Sequence, residues 1–336
     1  MHLPPLVYGT SSLGNLYEYI DEKTKHEIIA ACIKQRDWQP VFDSAGKYGA
    51  GLALEVLGRS LKKLKIKQED VVISNKLGWY RIPLQSKEPS FEKGVWKNIQ
   101  HDAIQKISYD GILECFEQGN DLLQGYKPGM VSVHDPDEFL ARASCVKEEE
   151  LRLKKILQAY QALESLKMRG EVTSIGIGAK NWRIIQKISS LIKLDWVMIA
   201  NSLTIHRHPK ALLTFVKELR KNGAKIINSA VFNGGFLTGG NYYNYLYVDG
   251  QSDSGRVLHT WRKLFFEQCH TFNINPAAAC IYYGLHLPGI SSIALNTSKS
   301  ANVTHNINAV QTIIAPAFWE ALLKKGLITS MPCLPQ

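Results

Sequence analysis

The sequence predicts an α/β fold, a (β/α)8 TIM barrel whose active site lies at the C-terminal face of the strands. Short apolar runs typical of strands alternate eight times with segments of helical periodicity over 336 residues, about the length that such a barrel uses. Polar residues also close several of these runs. The carboxyl ends of all strands meet at one mouth in a parallel barrel, so we expect one domain spanning residues 1–336.

The alternation assigns each element in turn. Strands are expected at Leu6–Gly9, Val41–Phe42, Val71–Ser74, Val131–Val133, Ser174–Ile177, Val197–Ile199, Lys225–Ile227 and Ile290–Ala294. Helices are expected at Lys23–Lys34, Leu52–Lys63, within Ile99–Leu123, and at Glu148–Lys167, Trp182–Leu191, Pro209–Lys221, Arg256–Phe272 and Ser300–Ile313.

Two long connections interrupt this rhythm on the side of the mouth. Residues 78–97 follow the third strand and residues 232–255 follow the seventh. Long loops at this face usually shape a substrate pocket, although a disordered insertion is the alternative. Their aromatic content favours ordered, partly mobile lids. The aromatic residues are Trp79, Tyr80, Phe91 and Trp96 in the first connection and Tyr242, Tyr243, Tyr245 and Tyr247 in the second.

Four polar residues are the main candidates for chemistry. Asp43, Lys76 and His134 close the second, third and fourth strand-like runs, and Tyr48 follows the second. A lysine ammonium can favour the phenolate of a neighbouring tyrosine, and an aspartate can hold that lysine in place. An imidazole can orient what binds. Alone, each residue is more often a packed, capping or surface side chain; their order favours a proton-transfer site.

Composition narrows the class of protein. The net charge of +10 is compatible with a nucleic-acid surface, but the basic residues are spread along the chain, and a phosphate-bearing cofactor explains a basic mouth better. The six cysteines form no C-x-x-C pair, which is typical of reduced thiols. We find no secretory signal and no apolar run of membrane-spanning length. We expect a cytoplasmic protein that binds neither nucleic acid nor membrane.

The motifs resemble those of the aldo-keto reductase family. Segment 42–49, which reads FDSAGKYG, resembles the family's D-x-A-x-x-Y-G motif, and 54–61 continues the same pattern. Lys76 and His134 resemble its catalytic lysine and histidine, and 170–178 is similar to its G-x-V-x-x-I-G signature. The segments HDPD (134–137) and NSAVFNGG (228–235) resemble the branch that oxidises free aldoses such as L-fucose, L-galactose and D-threo-aldose.

The resemblance implies a nicotinamide cofactor and residues to hold it. Segment 176–181 does not complete a G-x-G-x-x-G fingerprint. The resemblance instead implies that Asn181 or Asn201 contacts the nicotinamide carboxamide and that Phe232 stacks on the nicotinamide ring. The stretch 294–303 matches the segment that holds the adenosine phosphate, and Ser298 stands where an arginine often sits. A lone Lys299 gives no bidentate clamp, which favours NAD over NADP. The full cofactor set is Gly9, Thr10, Asp43, Asn181, Asn201, Phe232, Asn233, Ser298, Lys299 and Asn302.

The expected activity is oxidation of an aldose at C1 to its lactone, with Tyr48 as acid/base. Substrate contacts are expected from Tyr48, His134 and Trp79. Alternatives are a reductase of aldehydes or ketones in the same family, or a cofactor-binding regulatory subunit with little turnover. We expect a monomer or homodimer that acts on a small sugar or aldehyde. We expect no metal site, because His206 and His208 look like part of a loop before Pro209.

Overall fold

Eight parallel strands close into a barrel in the computed structural model, which describes residues 2–35, 37–244 and 246–334. Each strand pairs with its neighbours in the chain, and the eighth closes the ring on the first, with Ile293 opposite Leu6. The strands are Leu6–Gly9, Val41–Ala45, Val72–Leu77, Met130–His134, Ser174–Ala179, Trp196–Ala200, Lys225–Ser229 and Ser292–Asn296. The predicted (β/α)8 barrel is therefore confirmed.

The eight expected helices are present with small changes at their ends. They are Glu22–Lys34, Leu52–Lys63, Tyr109–Leu122, Val146–Met168, Trp182–Ser189, Lys210–Lys221, Asp253–Thr271 and Ser300–Gln311. Side-chain caps start several of them: Asp21 accepts from the backbone N–H of Thr24, and Ser108 accepts from that of Gly111. Such caps satisfy N–H groups that have no partner inside the helix.

Three further helices were not predicted. They are Pro136–Ala141, Pro276–Leu285 and Pro316–Lys324. Each begins with a proline, which suits the first helical position because its missing N–H would have no intrahelical partner there. Asn275 adds a side-chain cap to the second of these helices. Asp137 lies in the first turn of the first of these helices.

The first long connection is largely a hairpin. Trp79–Pro83 pairs antiparallel with His101–Gln105, inside the region where a helix was sought from Ile99 onward. Backbone bonds fasten the connection to the segment after the first strand, from Tyr17 N–H to Val95 O at 2.8 Å and from Lys97 N–H to Asn15 O at 3.0 Å. This connection is ordered by pairing with residues far away in the sequence.

The second long connection is built differently. It contains a 3₁₀ turn at Phe236–Thr238 and two-residue strands, Tyr242–Tyr243 and Leu246–Tyr247. Leu246 and Tyr247 are 74% and 67% exposed. Tyr245, one of the aromatic residues noted in this loop, lies outside the described residues.

Apolar side chains fill the barrel below the mouth. The buried cluster there consists of Leu3, Val7, Val41, Met130, Trp196, Met198 and Ile227. Gly176 is required beside it, because a Cβ on this residue would lie 2.2 Å from the Trp196 ring. A packed interior of this kind leaves the C-terminal face as the place where polar groups can gather.

Candidate active site

The four candidate catalytic side chains line one cavity of about 530 Å³ at the C-terminal mouth. Asp43 lies in the second strand, Lys76 in the third and His134 at the end of the fourth. Tyr48 follows the second strand, and a Cβ on Gly14 would lie 2.7 Å from its carbonyl carbon. The backbone of Tyr48 is therefore packed directly against the turn that follows the first strand.

Asp43 and Lys76 form a buried ion pair beneath the tyrosine. Lys76 Nζ donates to Asp43 Oδ2, and Ser74 Oγ donates to Asp43 Oδ1 at 3.2 Å. Lys76 Nζ also lies 4.8 Å from the centre of the Tyr48 ring. An ammonium in this position favours the anionic form of the phenol, so the geometry suits proton transfer by Tyr48.

His134 is a neutral imidazole beside the phenol. Its ring meets the Tyr48 ring edge to face, with centroids 5.6 Å apart and planes at 84°. Burial lowers the pKa of His134 to about 3; Asp135 opposes this shift, and Lys76 adds to it. A neutral imidazole can offer one N–H or one lone pair to a bound oxygen but carries no charge of its own.

Sequence reasoning missed a charged cluster on this side of the cavity. Lys47 is buried, and its Nζ lies 2.7 Å from Glu92, 3.0 Å from Asp135 and 3.3 Å from Glu138. Lys180 Nζ donates to Glu138 at 2.5 Å. Asp135 lines the cavity next to His134. Their positions in the sequence could have indicated a role in the site, because Lys47 directly precedes Tyr48 and Asp135 directly follows His134.

The tryptophan that reaches the cavity is Trp96, not the expected Trp79. Trp79 is buried in the hairpin behind the wall, with its ring 5.5 Å from Phe91. Trp96 lines the cavity, its ring 5.9 Å from Tyr48, and its indole N–H donates to Glu92 at 2.8 Å. Hairpin pairing decides which of the two aromatic side chains faces the mouth.

Residues expected to hold a cofactor divide into two groups. Gly9, Asp43 and Phe232 line the cavity. The others do not line it. Thr10 donates to the backbone of Asp43, and Asn181 caps the helix Trp182–Ser189. Asn233 Nδ2 donates to Asn201 O and Asn244 Oδ1. Ser298, Lys299 and Asn302 lie at the start of helix Ser300–Gln311, where Lys299 and Asn302 are exposed, and none of these three lines the cavity.

The opposite wall suits a nicotinamide nucleotide. Phe232 offers an aromatic face, and Gly234 and Gly235 leave backbone accessible at the cavity surface. Asn201 follows a cavity-lining alanine, and its buried Oδ1 has no hydrogen-bond partner among the described residues. Asn296 at the end of the eighth strand was not predicted; its Oδ1 accepts from Ser12 Oγ at 2.8 Å.

The described residues contain no cluster of three or more histidine, cysteine or acidic side chains arranged to hold a metal. His206 Nδ1 instead lies 2.8 Å from Tyr243 Oη, and His208 Nε2 accepts from the backbone N–H of Thr329. Among the described residues, we find no helix with the length and apolarity needed to span a membrane.

Comparison with known proteins identifies the family. A family model described as the aldo/keto reductase family matches residues 5–325. Pyridoxal 4-dehydrogenase from Microbacterium luteolum is 24% identical, with 96% of this chain and 93% of that protein covered. D-threo-aldose 1-dehydrogenase from a Pseudomonas species is 24% identical, with 97% and 95% covered.

Solved structures share the fold. An aldo-keto reductase from Bacillus halodurans in its holo form aligns with a TM-score of 0.69 and 19% identity, covering 100% of this chain and 95% of that one. Glycerol dehydrogenase from Gluconobacter oxydans aligns with a TM-score of 0.70 and 14% identity, covering 99% and 96%.

Proposed function

The chain belongs to the aldo/keto reductase family, an oxidoreductase family that uses a nicotinamide cofactor, and from this we propose that it is an aldose 1-dehydrogenase. It would oxidise a free aldose at C1 to the lactone, with NAD or NADP as hydride acceptor. The observation that carries the proposal is the shared cavity, where the acid/base group Tyr48 meets both hydroxyl-binding carboxylates and apolar ring faces.

Each catalytic side chain has a distinct task. Tyr48 takes the proton of the C1 hydroxyl as C1 is oxidised, or returns it in the reverse direction. Lys76 favours the phenolate of Tyr48, and Asp43 holds Lys76 in place. His134 hydrogen-bonds the reacting oxygen. The bound nicotinamide supplies hydride transfer, and the protein supplies position and proton transfer.

The walls of the cavity favour a sugar. Asp135 and Glu92 are carboxylates that can accept bonds from several hydroxyl groups, while Trp96 and Val95 present apolar surface. Apolar faces with a few placed polar groups are typical of small-molecule sites. One relative's name specifies an aldose oxidised at position 1, and both relatives are named as dehydrogenases, which supports oxidation.

NAD is the preferred cofactor in this proposal. Ser298 and Lys299 offer one hydroxyl and one flexible ammonium near the start of helix Ser300–Gln311, where the adenosine end is expected. Neither group grips a 2′-phosphate in the bidentate manner of arginine.

All six cysteines are free thiols, which suits a reducing compartment such as the cytoplasm.

The proposal is tested by offering a panel of free aldoses with NAD and NADP and following reduced nicotinamide by absorbance. Pyridoxal, glycerol and simple aldehydes form the comparison set, and Tyr48→Phe is the matched inactive control. We expect turnover with aldoses that is lost in the control. Turnover restricted to aldehyde reduction would favour the reductase alternative, and nucleotide binding without any turnover would favour a regulatory subunit.

A further inference from the structure

A single buried cation connects the histidine side of the site to the first long connection. Lys47 Nζ contacts Asp135 Oδ2 at 3.0 Å, Glu138 Oε2 at 3.3 Å and Glu92 Oε1 at 2.7 Å. Glu92 belongs to the first connection, whereas Asp135 directly follows the fourth strand. Lys47 is 4% exposed, so these contacts are largely shielded from water and screening salt.

Asp135 is held against the imidazole from several directions. Its Oδ2 lies 3.5 Å from His134 Nε2, and its backbone N–H donates to Gly178 O at 3.2 Å. Its φ of 47° lies in the left-handed region, which a non-glycine residue occupies only when its surroundings enforce it. His134 Nδ1 is buried and has no hydrogen-bond partner among the described residues.

This arrangement selects one form of the imidazole. A neutral ring carries a proton on one nitrogen and a lone pair on the other, and the partner of either nitrogen decides which form is present. A carboxylate 3.5 Å from Nε2 attracts an N–H and repels a lone pair. Since no group of the described residues bonds Nδ1, the Nε2–H form is the stable one.

Lys47 limits the effect of Asp135 on the protonation of His134. Burial would raise the pKa of Asp135, but its interactions with the His134 ring and with the ammonium groups of Lys47 and Lys180 hold that pKa below its usual range. Lys47 and Lys180 also oppose the attraction of Asp135 for a proton on His134, as Lys76 does. The cations therefore let Asp135 orient the ring without making it an imidazolium.

We propose that Asp135 and Lys47 are positioning residues for the reaction: Asp135 fixes the Nε2–H form of His134, the ring assigned to bind the reacting oxygen, and Lys47 fixes Asp135. The inference rests on the proposed role of His134 in binding that oxygen. It adds two residues to the four that the family pattern supplies. Because Lys47 also contacts Glu92, the position of the first connection affects the same arrangement.

The direct test is a spectrum of the histidine ring nitrogens with ¹⁵N-histidine labelling, in which His134→Gln assigns the signal of His134. Wild-type protein should show His134 protonated at Nε2. Asp135→Asn removes the charge but keeps the size, and it should raise the population protonated at Nδ1. It should also lower kcat at least about tenfold while nucleotide affinity changes less than about twofold. Asp135→Glu should recover part of kcat.

Lys47 is tested through the protonation of His134. Besides Lys47, the charged groups that act on this ring are Asp135, Lys76 and Lys180, and the Tyr48 phenol lies beside it. In Lys47→Met the ring should bind a proton at higher pH than in wild type, and the acid limb of the kcat profile should move the same way. Lys47→Arg should stay closer to wild type. Lys93→Met, which removes an exposed lysine of the same connection, should change neither.

An unchanged Nε2–H signal or an unchanged kcat in Asp135→Asn would overturn the proposal. If that variant does not fold, an unshifted His134 titration in Lys47→Met would overturn it instead. The nitrogen spectra need no substrate. If the spectra are as expected but the protein oxidises no aldose, the positioning role therefore stands and the aldose assignment is refuted.

Discussion

The two sides of the mouth are prepared for their ligands in different ways. On the proton-transfer side, Asp43, Lys76, His134, Lys47 and Asp135 are all 7% exposed or less. Ion pairs join Lys76 to Asp43 and Lys47 to Asp135, and a further pair joins Lys47 to Glu92 of the first connection. On the cofactor side, the helix Ser300–Gln311 begins without a side-chain cap, and the candidate phosphate contacts near it are partly or fully exposed.

This difference matches the roles proposed for the two sides. Groups that stabilise charge during reaction are most effective when they are already oriented and shielded from water, because no reorganisation is then needed. A group that only binds the far end of a nucleotide can remain solvated until the ligand arrives. The proton-transfer side should therefore be intolerant of single changes, and the adenosine end should be adjustable.

The largest expected effect comes from removing the proton carrier. Tyr48→Phe keeps the ring contacts but loses the hydroxyl, so kcat should fall by about 10² to 10⁴ while nucleotide binding is retained. Steady-state kinetics and fluorescence titration with nucleotide measure the two quantities. Tyr109→Phe, at the start of an outer helix, serves as the control. A kcat close to that of wild type would remove Tyr48 from its assigned role.

A second test concerns what the buried histidine does to stability. The pKa of His134 is about 3 in the folded chain, below its ordinary value, so between about pH 6.5 and 3 the unfolded chain binds a proton that the folded chain does not. Stability should therefore fall as pH falls. Lowering the pH from 7 to 5 should cost about 2 kcal/mol through this group alone.

Urea unfolding at pH 7 and pH 5 measures that loss. His134→Gln should lose less stability than wild type over this interval. The pKa values of His206 and His208 are also lowered by burial, and their contribution should persist in both proteins. An equal loss in wild type and variant would mean that His134 is not held neutral.

The two walls can be separated with a reciprocal pair of variants. Trp96→Ala removes an aromatic face beside Tyr48, and it should raise KM for the sugar about tenfold with little change in nucleotide affinity. Phe232→Ala should do the reverse. Substrate kinetics and nucleotide titration on both variants provide the comparison. Equal effects on both ligands in either variant would show that the two sides are not independent.

The smallest expected effect is at the adenosine end. Ser298→Arg adds a guanidinium that can grip a 2′-phosphate in a fork, so the ratio of kcat/KM with NADP to that with NAD should rise about three- to tenfold. Ala301→Arg, at an exposed position in the first turn of the helix Ser300–Gln311, controls for added charge. The assignment of Ser298 fails if both variants move the ratio equally.

Local pattern was sufficient to predict the barrel and the meeting of the four catalytic candidates. Strand-like runs, their order and the polar residues closing them are read from short stretches of chain, and the closed barrel converts that order into proximity. The helix Leu52–Lys63 was even predicted with its observed ends. Where local signals were present but unused, as with Pro276 after Asn275, helices were missed.

What could not be predicted depends on contacts between distant residues. His101–Gln105 is a strand because Trp79–Pro83 lies beside it, and that pairing buries Trp79 while Trp96 reaches the cavity. Asp135 gains a place in the site through Lys47, 88 positions earlier in the chain. Asn181 was expected to offer its amide to a cofactor, and the structure adds that its Oδ1 accepts from the backbone N–H of Arg183.

Closure of the barrel has a consequence for how the protein is made. The first strand can pair on both sides only after the eighth strand has been synthesised. Ser292 Oγ of the eighth strand also donates to Pro4 O, 288 positions earlier in the sequence. Until that point the growing chain carries two open strand edges, which are sites for wrong pairing between chains. Such long-range closure is slow compared with local folding. A chain that ends before residue 292 therefore has Tyr48, Lys76 and His134 but lacks the last strand that lines the cavity.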